Sequence, residues 1–222
     1  MRVVMVSKAL VVGAYQRKLE EIARLPGVEL TAIVPAEWRD RRGRVTLERA
    51  HVTGYELIAA PLRFNGQYHL HFYPTLGRLL QQLRPDILHM DEEPYNLATW
   101  HALWHARRYG AHTLFYSWQN IARSYPLPVR AAAQWVLRRA DYAFVGTQSA
   151  AEVWRANPEF KDRGTWVFEW RRAKPDLSDD YLIVHDIPGA AETFAAKFPE
   201  RPVFRMILTP EAPYWNVVPA GR

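Results

Sequence analysis

The segment that decides the fold is residues 2–35, RVVMVSKALVVGAYQRKLEEIARLPGVELTAIVP. Val3–Val6 is a compact apolar run, which predicts a strand buried on both faces. Gly13–Leu25 repeats its apolar residues at helical spacing and ends at a Pro-Gly pair, which predicts a helix that stops there. Val28–Val34 is a second apolar run that is closed by proline. A strand, a helix and a strand in this order predict the start of a parallel sheet.

The same alternation continues to residue 155. The further predicted strands are Glu56–Leu62, Asp86–Met90, Ala111–Ser117 and Tyr142–Val145. The further predicted helices are Pro74–Leu83, Tyr95–Tyr109, Val129–Arg139 and Ser149–Arg155. The charge-rich stretch Arg39–Arg49 is predicted to be a loop. Together these patterns predict an α/β fold, a Rossmann-like parallel sheet with helices on both faces, which binds ligands beyond the carboxyl ends of its strands.

The composition excludes several classes of protein. The chain has 222 residues, a formal charge of +6 and no cysteine, so disulfide frameworks, iron–sulfur clusters, thiol catalysis and thiolate zinc sites are excluded. No apolar run approaches the roughly 20 residues of a membrane-spanning helix. The first residues are typical of a strand and not of a signal peptide. We therefore expect a cytoplasmic protein, at most peripheral at the inner face of the membrane.

Charge and proline content divide the chain. Residues 1–156 carry 20 Lys or Arg against 13 Asp or Glu, whereas residues 157–222 carry 9 against 10 and hold eight of the 16 prolines. This change predicts a domain over 1–156 and an α/β extension over 157–222 that packs on or extends the same sheet. The elements predicted for the extension are the strands Thr165–Trp170, Tyr181–His185 and Val203–Leu208 and the helix Ala190–Phe198.

The loop after the first predicted strand offers three candidate ligand contacts, Lys8, Gly13 and Tyr15. A single glycine does not make a dinucleotide fingerprint or a phosphate-binding loop, so nicotinamide and flavin cofactors are disfavoured. In the functional interpretation, Gly13 lets an anionic ligand approach the amino terminus of a helix. In the alternative interpretation, the segment is an ordinary turn between a strand and a helix.

Two later loops carry groups suited to sugars. Asp91, Glu92 and Glu93 follow one predicted strand, and Trp118, Gln119 and Asn120 follow the next. Carboxylates at a strand end can accept hydrogen bonds from sugar hydroxyls or act as a base, although they also occur at ordinary helix starts. An indole face with neighbouring amides suits a carbohydrate, although a packing tryptophan followed by turn residues is the alternative.

Four histidines have spacings that metal sites also use. They are His69 and His71, two residues apart, and His101 and His105, four residues apart. A hydrolase or metal enzyme that uses them is one hypothesis. No glutamate follows His101, so the helical zinc motif is not met. We expect packing or surface histidines and no metal site.

A basic patch lies beside Trp38. Its members are Arg39, Arg41, Arg42, Arg44 and Arg49. The patch suits an anionic membrane surface, and a solvated loop is the alternative. No nucleic-acid-binding motif accompanies it, so we expect no nucleic-acid partner.

Six segments resemble, in order, a known family. They are SKALVVGAYQRKLEEIA at 7–23, GVELTAIVP at 27–35, RFNGQYHLHFYP at 63–74, LRPDILHMDEEPYNLATW at 83–100, YSWQNIARSYPLP at 116–128 and WVLRRADYAFVGTQSAAEV at 135–153. Through them residues 1–155 resemble the N-terminal, acceptor-side domain of glycosyltransferases with the GT-B fold, specifically family 4.

The resemblance implies a two-domain enzyme that transfers a sugar with retention of configuration and needs no bound metal. Its first domain binds a saccharide or lipid-linked acceptor, and its second domain binds a nucleotide sugar. The loop Lys8–Tyr15, the three carboxylates Asp91–Glu93 and the segment Trp118–Asn120 then bind the acceptor. Relatives often have histidine where this chain has Trp118, so no catalytic residue is assigned.

The extension does not resemble the donor domain. Its 66 residues are too few for a domain of about 150. We therefore expect the acceptor-binding half of a retaining, nucleotide-sugar-dependent glycosyltransferase. It holds no cofactor of its own, and the donor domain that binds the nucleotide sugar co-substrate is expected to be missing or to lie on another chain. A non-catalytic module that binds a saccharide or lipid acceptor is the alternative.

Overall fold

Nine strands occur between residues 1 and 167. They are β1 Arg2–Val6, β2 Glu29–Pro35, β3 Glu37–Asp40, β4 Gly43–Thr46, β5 Glu56–Ala60, β6 Ile87–Met90, β7 His112–Ser117, β8 Tyr142–Val145 and β9 Gly164–Val167. The computed structural model describes residues 1–41, 43–123, 125–167, 190–209 and 212–219. The chain forms two compact units, Met1–Trp170 and Arg171–Arg222.

Five α-helices and three short 3₁₀ turns connect the strands of the first unit. The helices are α1 Arg17–Ala23, α2 Leu76–Leu83, α3 Leu97–Ala106, α4 Val129–Leu137 and α5 Gln148–Arg155. The 3₁₀ turns are Ala9–Val11, Gly13–Gln16 and Arg107–Tyr109. The predicted helix Gly13–Leu25 therefore begins as 3₁₀ structure and becomes α-helical only at Arg17. No helix within the described ranges has the length and hydropathy needed to cross a bilayer.

Seven of these strands form one sheet, in the order β5-β2-β1-β6-β7-β8-β9, and all neighbours in it are parallel. The order runs outward in one direction from β1 to β5 and in the other from β6 to β9. The direction therefore reverses between β1 and β6, where Val6 is paired with Met90. Loops that follow the two strands on either side of such a reversal face a common crevice. The predicted Rossmann-like α/β fold is confirmed.

Two hydrophobic cores cover the two faces of the sheet. Val4 and Val6 contribute to the larger core, which also contains residues of α2, α3, α4 and α5. Met5, between them in β1, contributes to the smaller core together with Leu19 of α1. Successive strand residues point to opposite faces, so an uninterrupted apolar strand such as β1 serves both cores.

The prediction of a charged loop over Arg39–Arg49 is wrong in part, because β3 and β4 form an antiparallel hairpin there. Trp38 is buried in the smaller core and Val45 packs against it. Arg39 and Arg44 are paired across the hairpin, and both side chains form salt bridges with Glu37. Apolar and charged residues alternate along these two strands, so only one face of the hairpin is apolar. The many charged residues of the segment made this alternation hard to recognise in the sequence.

Past residue 156, strand β9 continues the first unit, because it pairs in parallel with β8 as the seventh strand of the sheet. The second unit contains helix α6, Ala190–Lys197, and the strands β10, Phe204–Thr209, and β11, Ala212–Pro219, which pair antiparallel. The predicted helix at Ala190–Phe198 and strand at Val203–Leu208 are confirmed. The strand predicted at Tyr181–His185 lies outside the described residues.

The central position of β6 gives a test of the fold. Leu88 is fully buried between β1 and β7, whereas Leu25, just after α1, is 55% exposed. We expect Leu88→Ala to lower the free energy of unfolding by about 2–5 kcal/mol, because it leaves a cavity in the core. Leu25→Ala is the matched control and is expected to change it by less than about 0.5 kcal/mol. Urea denaturation measures both, and equal losses would contradict the arrangement.

Candidate functional site

The crevice between β1 and β6 is closed by hydrogen bonds between the two loops. Ser7, which follows β1, donates from its hydroxyl to the Asp91 carboxylate at 2.9 Å. Lys18 of α1 reaches the same carboxylate at 3.2 Å. Burial raises the pKa of Asp91, but the Lys18 ammonium and the other polar neighbours outweigh it and leave the pKa below its ordinary value. Asp91 is therefore an ionised group that joins the two loops.

Glu92 is buried, with 3% of its surface exposed, and it has three polar neighbours. Its carboxylate forms a salt bridge with Lys8 and accepts a hydrogen bond from the Asn96 amide at 3.1 Å. The nearest atom of His71, Nε2, lies 3.5 Å away. Burial raises the pKa of Glu92, but His71 and the Lys8 charge outweigh it, so the pKa is lowered. A buried carboxylate with these partners is a structural group.

An aromatic wall surrounds the Lys8 ammonium. It lies 5.5 Å from the ring centre of Trp38 and 5.6 Å from that of Tyr68. The same Trp38 ring contacts the fully buried His71 edge-on at 5.1 Å. Lys8 is thus held by a carboxylate and by two aromatic faces, and it ties the β3–β4 hairpin to the crevice.

Glu93 faces the next loop along the sheet. Its two carboxylate oxygens accept hydrogen bonds from the Ser117 hydroxyl at 2.6 Å and from the Trp118 backbone N–H at 2.8 Å. Burial raises the pKa of Glu93, and the negative charge of Glu92 adds to this, so the pKa is raised in spite of both hydrogen bonds. Adjacent carboxyls with opposite shifts indicate different roles, and the raised pKa makes Glu93 the candidate for contact with a ligand.

A cavity of about 190 Å³ opens beside Glu93 at the carboxyl edge of the sheet. It is lined by Glu93, Tyr95, Trp118, Gln119, Asn120, Ile121 and Arg123. The Tyr95 ring stacks on the Tyr125 ring at 4.7 Å, and the Tyr125 hydroxyl donates to the Gln119 side chain at 3.2 Å. These contacts hold the loop after β7 against the loop after β6, so one cavity gathers residues from both.

The Trp118 indole owes its position to a glycine. Half of its surface is exposed, and its ring packs against Gly146, where an added Cβ would lie 2.5 Å from a ring carbon. Gly146 directly follows β8, so the Trp118 ring packs against the carboxyl end of a third strand, besides the loops after β6 and β7. The indole can therefore present surface to the cavity without being mobile on its inner side.

The sequence matches a known protein family. Residues 19–163 match the model of Glycosyltransferase Family 4, which is more than half of the chain. The chain belongs to glycosyltransferase family 4. No curated protein matches it. The matched range includes the strands β6 and β7 and both loops of the cavity, so the candidate site lies within the part of the chain that carries the family pattern.

The three ligand contacts predicted in the loop after β1 of this glycosyltransferase family 4 domain have different surroundings in the structure. Lys8 reaches Glu92, and Tyr15 is 57% exposed. The Gly13 backbone N–H, expected to meet a ligand, donates instead to the Glu48 carboxylate. An added Cβ at Gly13 would lie 2.7 Å from that of Ala50. Close packing against the segment after β4 thus accounts for this glycine.

The four histidines do not converge. His69 contacts the Asn96 amide oxygen at 2.9 Å, and His71 faces backbone carbonyls and Glu92. The Nε2 atoms of His101 and His105 lie 3.2 Å apart. Burial, together with the nearby His105, lowers the pKa of His101 to about 4. In the ranges that the structure describes, no three histidine or carboxylate side chains form a group that could hold a metal ion.

Several residues of the site were missed by sequence reasoning. They are Ser7, Lys18, Trp38, Tyr68, Tyr95, Ser117, Arg123 and Tyr125. Ser7 and Ser117 had a usable signal, because each is the small polar residue at the carboxyl end of an apolar strand. Tyr95 and Tyr125 lie in the two loops that are predicted to bind a sugar, whereas Trp38 and Tyr68 come from segments that only the folded chain brings to the crevice.

The buried pair of Lys8 and Glu92 predicts a stability that depends on pH. We expect Glu92→Gln to lower the free energy of unfolding by about 3–5 kcal/mol at neutral pH, because Lys8 keeps its charge and loses its partner. The pKa of Glu92 is lowered by folding, so its stabilisation is present above the ordinary pKa of a glutamate and is lost as the pH falls through the folded value.

The difference between wild type and Glu92→Gln should therefore shrink on acidification. Chemical denaturation across an acid pH series measures this, and Glu152→Gln, at an exposed position of α5, is the matched control. A difference that stays constant down to the acid limit would contradict an ionised Glu92.

Proposed function

We propose that the first unit binds the acceptor for a retaining glycosyltransferase that uses a nucleotide sugar. Membership of family 4 supports transfer of a sugar. The observation that carries the acceptor role is the cavity at the carboxyl edge, where Glu93 and a half-exposed Trp118 face the same space. The acceptor is a saccharide or a lipid-linked saccharide.

The cavity offers complementary groups for one sugar ring. The Trp118 indole supplies an apolar surface for the C–H face of a pyranose, as aromatic residues do in carbohydrate sites. The Glu93 carboxylate accepts a hydrogen bond from a hydroxyl, and the Asn120 side chain can both donate and accept. Arg123 lies at the rim and attracts an acceptor that carries an anionic group.

The remaining predicted contacts have indirect roles in this proposal. Asp91 and Glu92 have their carboxylates engaged by protein groups and, unlike Glu93, do not line the cavity, so they position the loop that carries Glu93. Lys8 compensates the charge of Glu92, and Gln119 is held by Tyr125. Tyr15 is exposed, which leaves it open to ligand. We assign no residue to the chemical step itself.

The donor is held by another domain in this proposal. The cavity volume of 190 Å³ lies below the roughly 300–1,000 Å³ of sites that enclose larger ligands, so it suits a sugar residue better than a nucleotide sugar. The second unit, Arg171–Arg222, is far smaller than a Rossmann-like domain of about 150 residues. A donor domain outside residues 1–222 would supply the nucleotide sugar as co-substrate, without a cofactor bound by these residues.

Glycan binding tests the acceptor site. We expect the full chain to bind a subset of a saccharide panel in ligand-observed NMR titrations. Trp118→Ala should weaken that binding about fivefold or more, because a stacking surface worth about 1 kcal/mol is lost. Trp166→Ala is the matched control, since Trp166 is 68% exposed on β9, away from the cavity.

A second variant keeps every cavity side chain. Gly146→Ala should displace the Trp118 ring, because the new methyl group needs the space that the ring occupies. We expect it to weaken glycan binding as Trp118→Ala does, with folding checked by circular dichroism. Equal affinity in wild type and both variants would exclude this cavity as the glycan site.

Titration with nucleotide sugars tests whether the donor binds elsewhere than the acceptor-binding unit. We expect calorimetry of the isolated chain with UDP- and GDP-sugars to show no tight binding. Tight binding, or turnover by residues 1–222 alone, would contradict a donor site outside these residues. Glycan binding without transfer, even when candidate donor-domain chains are added, would favour the non-catalytic binding module instead.

A further inference from the structure

Three tryptophans form a cluster on the outer side of two neighbouring helices. Trp100 and Trp104 of α3 stack at 5.7 Å, and Trp135 of α4 lies 5.8 Å from Trp104 and 6.2 Å from Trp100. Trp104 is 44% exposed, and the other two are half-buried. The same helices supply Leu103 and Val136 to the larger core, and Trp100 and Trp135 pack against that core. Trp104 therefore extends an aromatic cluster from the core to the surface.

Arginines flank the cluster. The Arg139 guanidinium lies 4.4 Å from the ring centre of Trp135, and that of Arg108 lies 5.8 Å from the ring centre of Trp104. Arg107 is exposed beside Arg108. The sequences of α3, of the 3₁₀ turn after it and of α4 contain no aspartate or glutamate. Aromatic rings and positive charge thus occur together on a surface whose helices carry no carboxylate.

We propose that this Trp–Arg surface, defined by Trp100, Trp104, Trp135, Arg108 and Arg139, docks on an anionic phospholipid bilayer. Tryptophan is enriched at the headgroup level of membranes, where its ring is partly apolar and partly polar. Arginine at the same level pairs with lipid phosphates, and each basic residue adds to the attraction of an anionic surface. The surface provides both kinds of contact within two adjacent helices.

The geometry of the rings favours lipid over a saccharide or a nucleic-acid base. A sugar or a base needs a free ring face on which to stack. Here the faces are engaged by other groups, because Trp100 and Trp104 stack on each other at 28° and Arg139 lies over Trp135. Ring edges and guanidinium groups remain, and these suit the mixed polar and apolar layer of lipid headgroups.

The surface differs from the basic patch predicted at Arg39–Arg49. In that hairpin, Arg39 and Arg44 both form salt bridges with Glu37, which offsets part of their charge, and Trp38 is buried. In the described part of the hairpin, these two arginines thus share one carboxylate, and the tryptophan ring is not exposed. The Trp–Arg surface combines cations with an exposed aromatic residue, so it is the better candidate for membrane contact.

Docking through this surface would leave the cavity open. Helix α3 starts just after the loop of Glu93 at the carboxyl edge and returns toward the start of β7 at the opposite edge. Trp104 and Arg108 lie near the end of that return. The inference does not rest on the proposed function, because it uses neither the cavity nor the family.

Vesicle flotation of the full chain tests the proposal. We expect the protein to float with vesicles of phosphatidylcholine that contain about one-third phosphatidylglycerol, and much less with phosphatidylcholine alone. Raising the salt should weaken binding, because it screens charge at the surface. Absence of flotation on the anionic vesicles would overturn the proposal.

Paired variants locate the contact. The double variant Arg108→Gln/Arg139→Gln should lower the partition coefficient about thirtyfold, given the attraction per basic residue. Arg39→Gln/Arg44→Gln removes the same charge from the hairpin and should have little effect. Trp104→Ala should weaken binding severalfold, whereas Trp166→Ala should not. A loss confined to the hairpin variant would overturn the proposal and place the contact at the hairpin.

Two other occupants are outcomes of the same set of measurements. If the protein without lipid dimerises in sedimentation equilibrium, and Trp104→Ala abolishes the dimer while flotation is absent, the surface is an interface between copies. If an RNA oligonucleotide competes for the surface and anionic vesicles do not bind, the partner is nucleic acid. Either result overturns the lipid proposal. Unchanged thermal unfolding of each variant assigns its effect to the surface.

Discussion

The parallel pairing of β1 with both β2 and β6 is the constraint on which the rest of the structure depends. β1 is apolar throughout its buried part, so it contributes Val4 and Val6 to one core and Met5 to the other. A strand used on both faces must lie inside a sheet, and its two neighbours extend in opposite directions. Because the chain order reverses at this strand, the loops that begin at Ser7 and Asp91 meet, and the contacts of Asp91 and Glu92 with Ser7, Lys8 and Lys18 follow from that meeting.

The three consecutive carboxylates show how neighbouring residues of like charge come to differ. Asp91 and Glu92 are stabilised as anions by ammonium groups and polar neighbours, and folding lowers the pKa of both. Glu93 has no ammonium as close, and burial raises its pKa. The first two therefore stabilise the crevice, while the third keeps a carboxyl group at the cavity. One residue along the chain is enough for this change, because each points toward a different set of loops.

The hairpin and the helices α3 and α4 show that the charge of a segment does not reveal whether its charged groups pair within the protein or face a partner. Five arginines between positions 39 and 49 indicated a patch for an anionic partner, yet two of them pair with Glu37 beside a buried Trp38. The tryptophans of α3 and α4 attracted no notice in the sequence, because apolar residues in helices normally belong to the core. Two of them, Trp100 and Trp135, do pack against the larger core, whereas Trp104 beside them is 44% exposed.

The sequence by itself determined the order of the elements, the parallel sheet, the family and the two loops that line the cavity. Apolar period and turn residues are local properties, and the ends of parallel strands must share one edge of a sheet. Only the tertiary structure decided that Glu48 binds the amide of Gly13, that Gly146 supports Trp118, and that His71 packs beside Glu92. Those contacts join residues 21 to 35 positions apart, and no local pattern encodes which loops will meet. Long-range packing sets them, because it alone fixes the direction of each side chain once the core has formed.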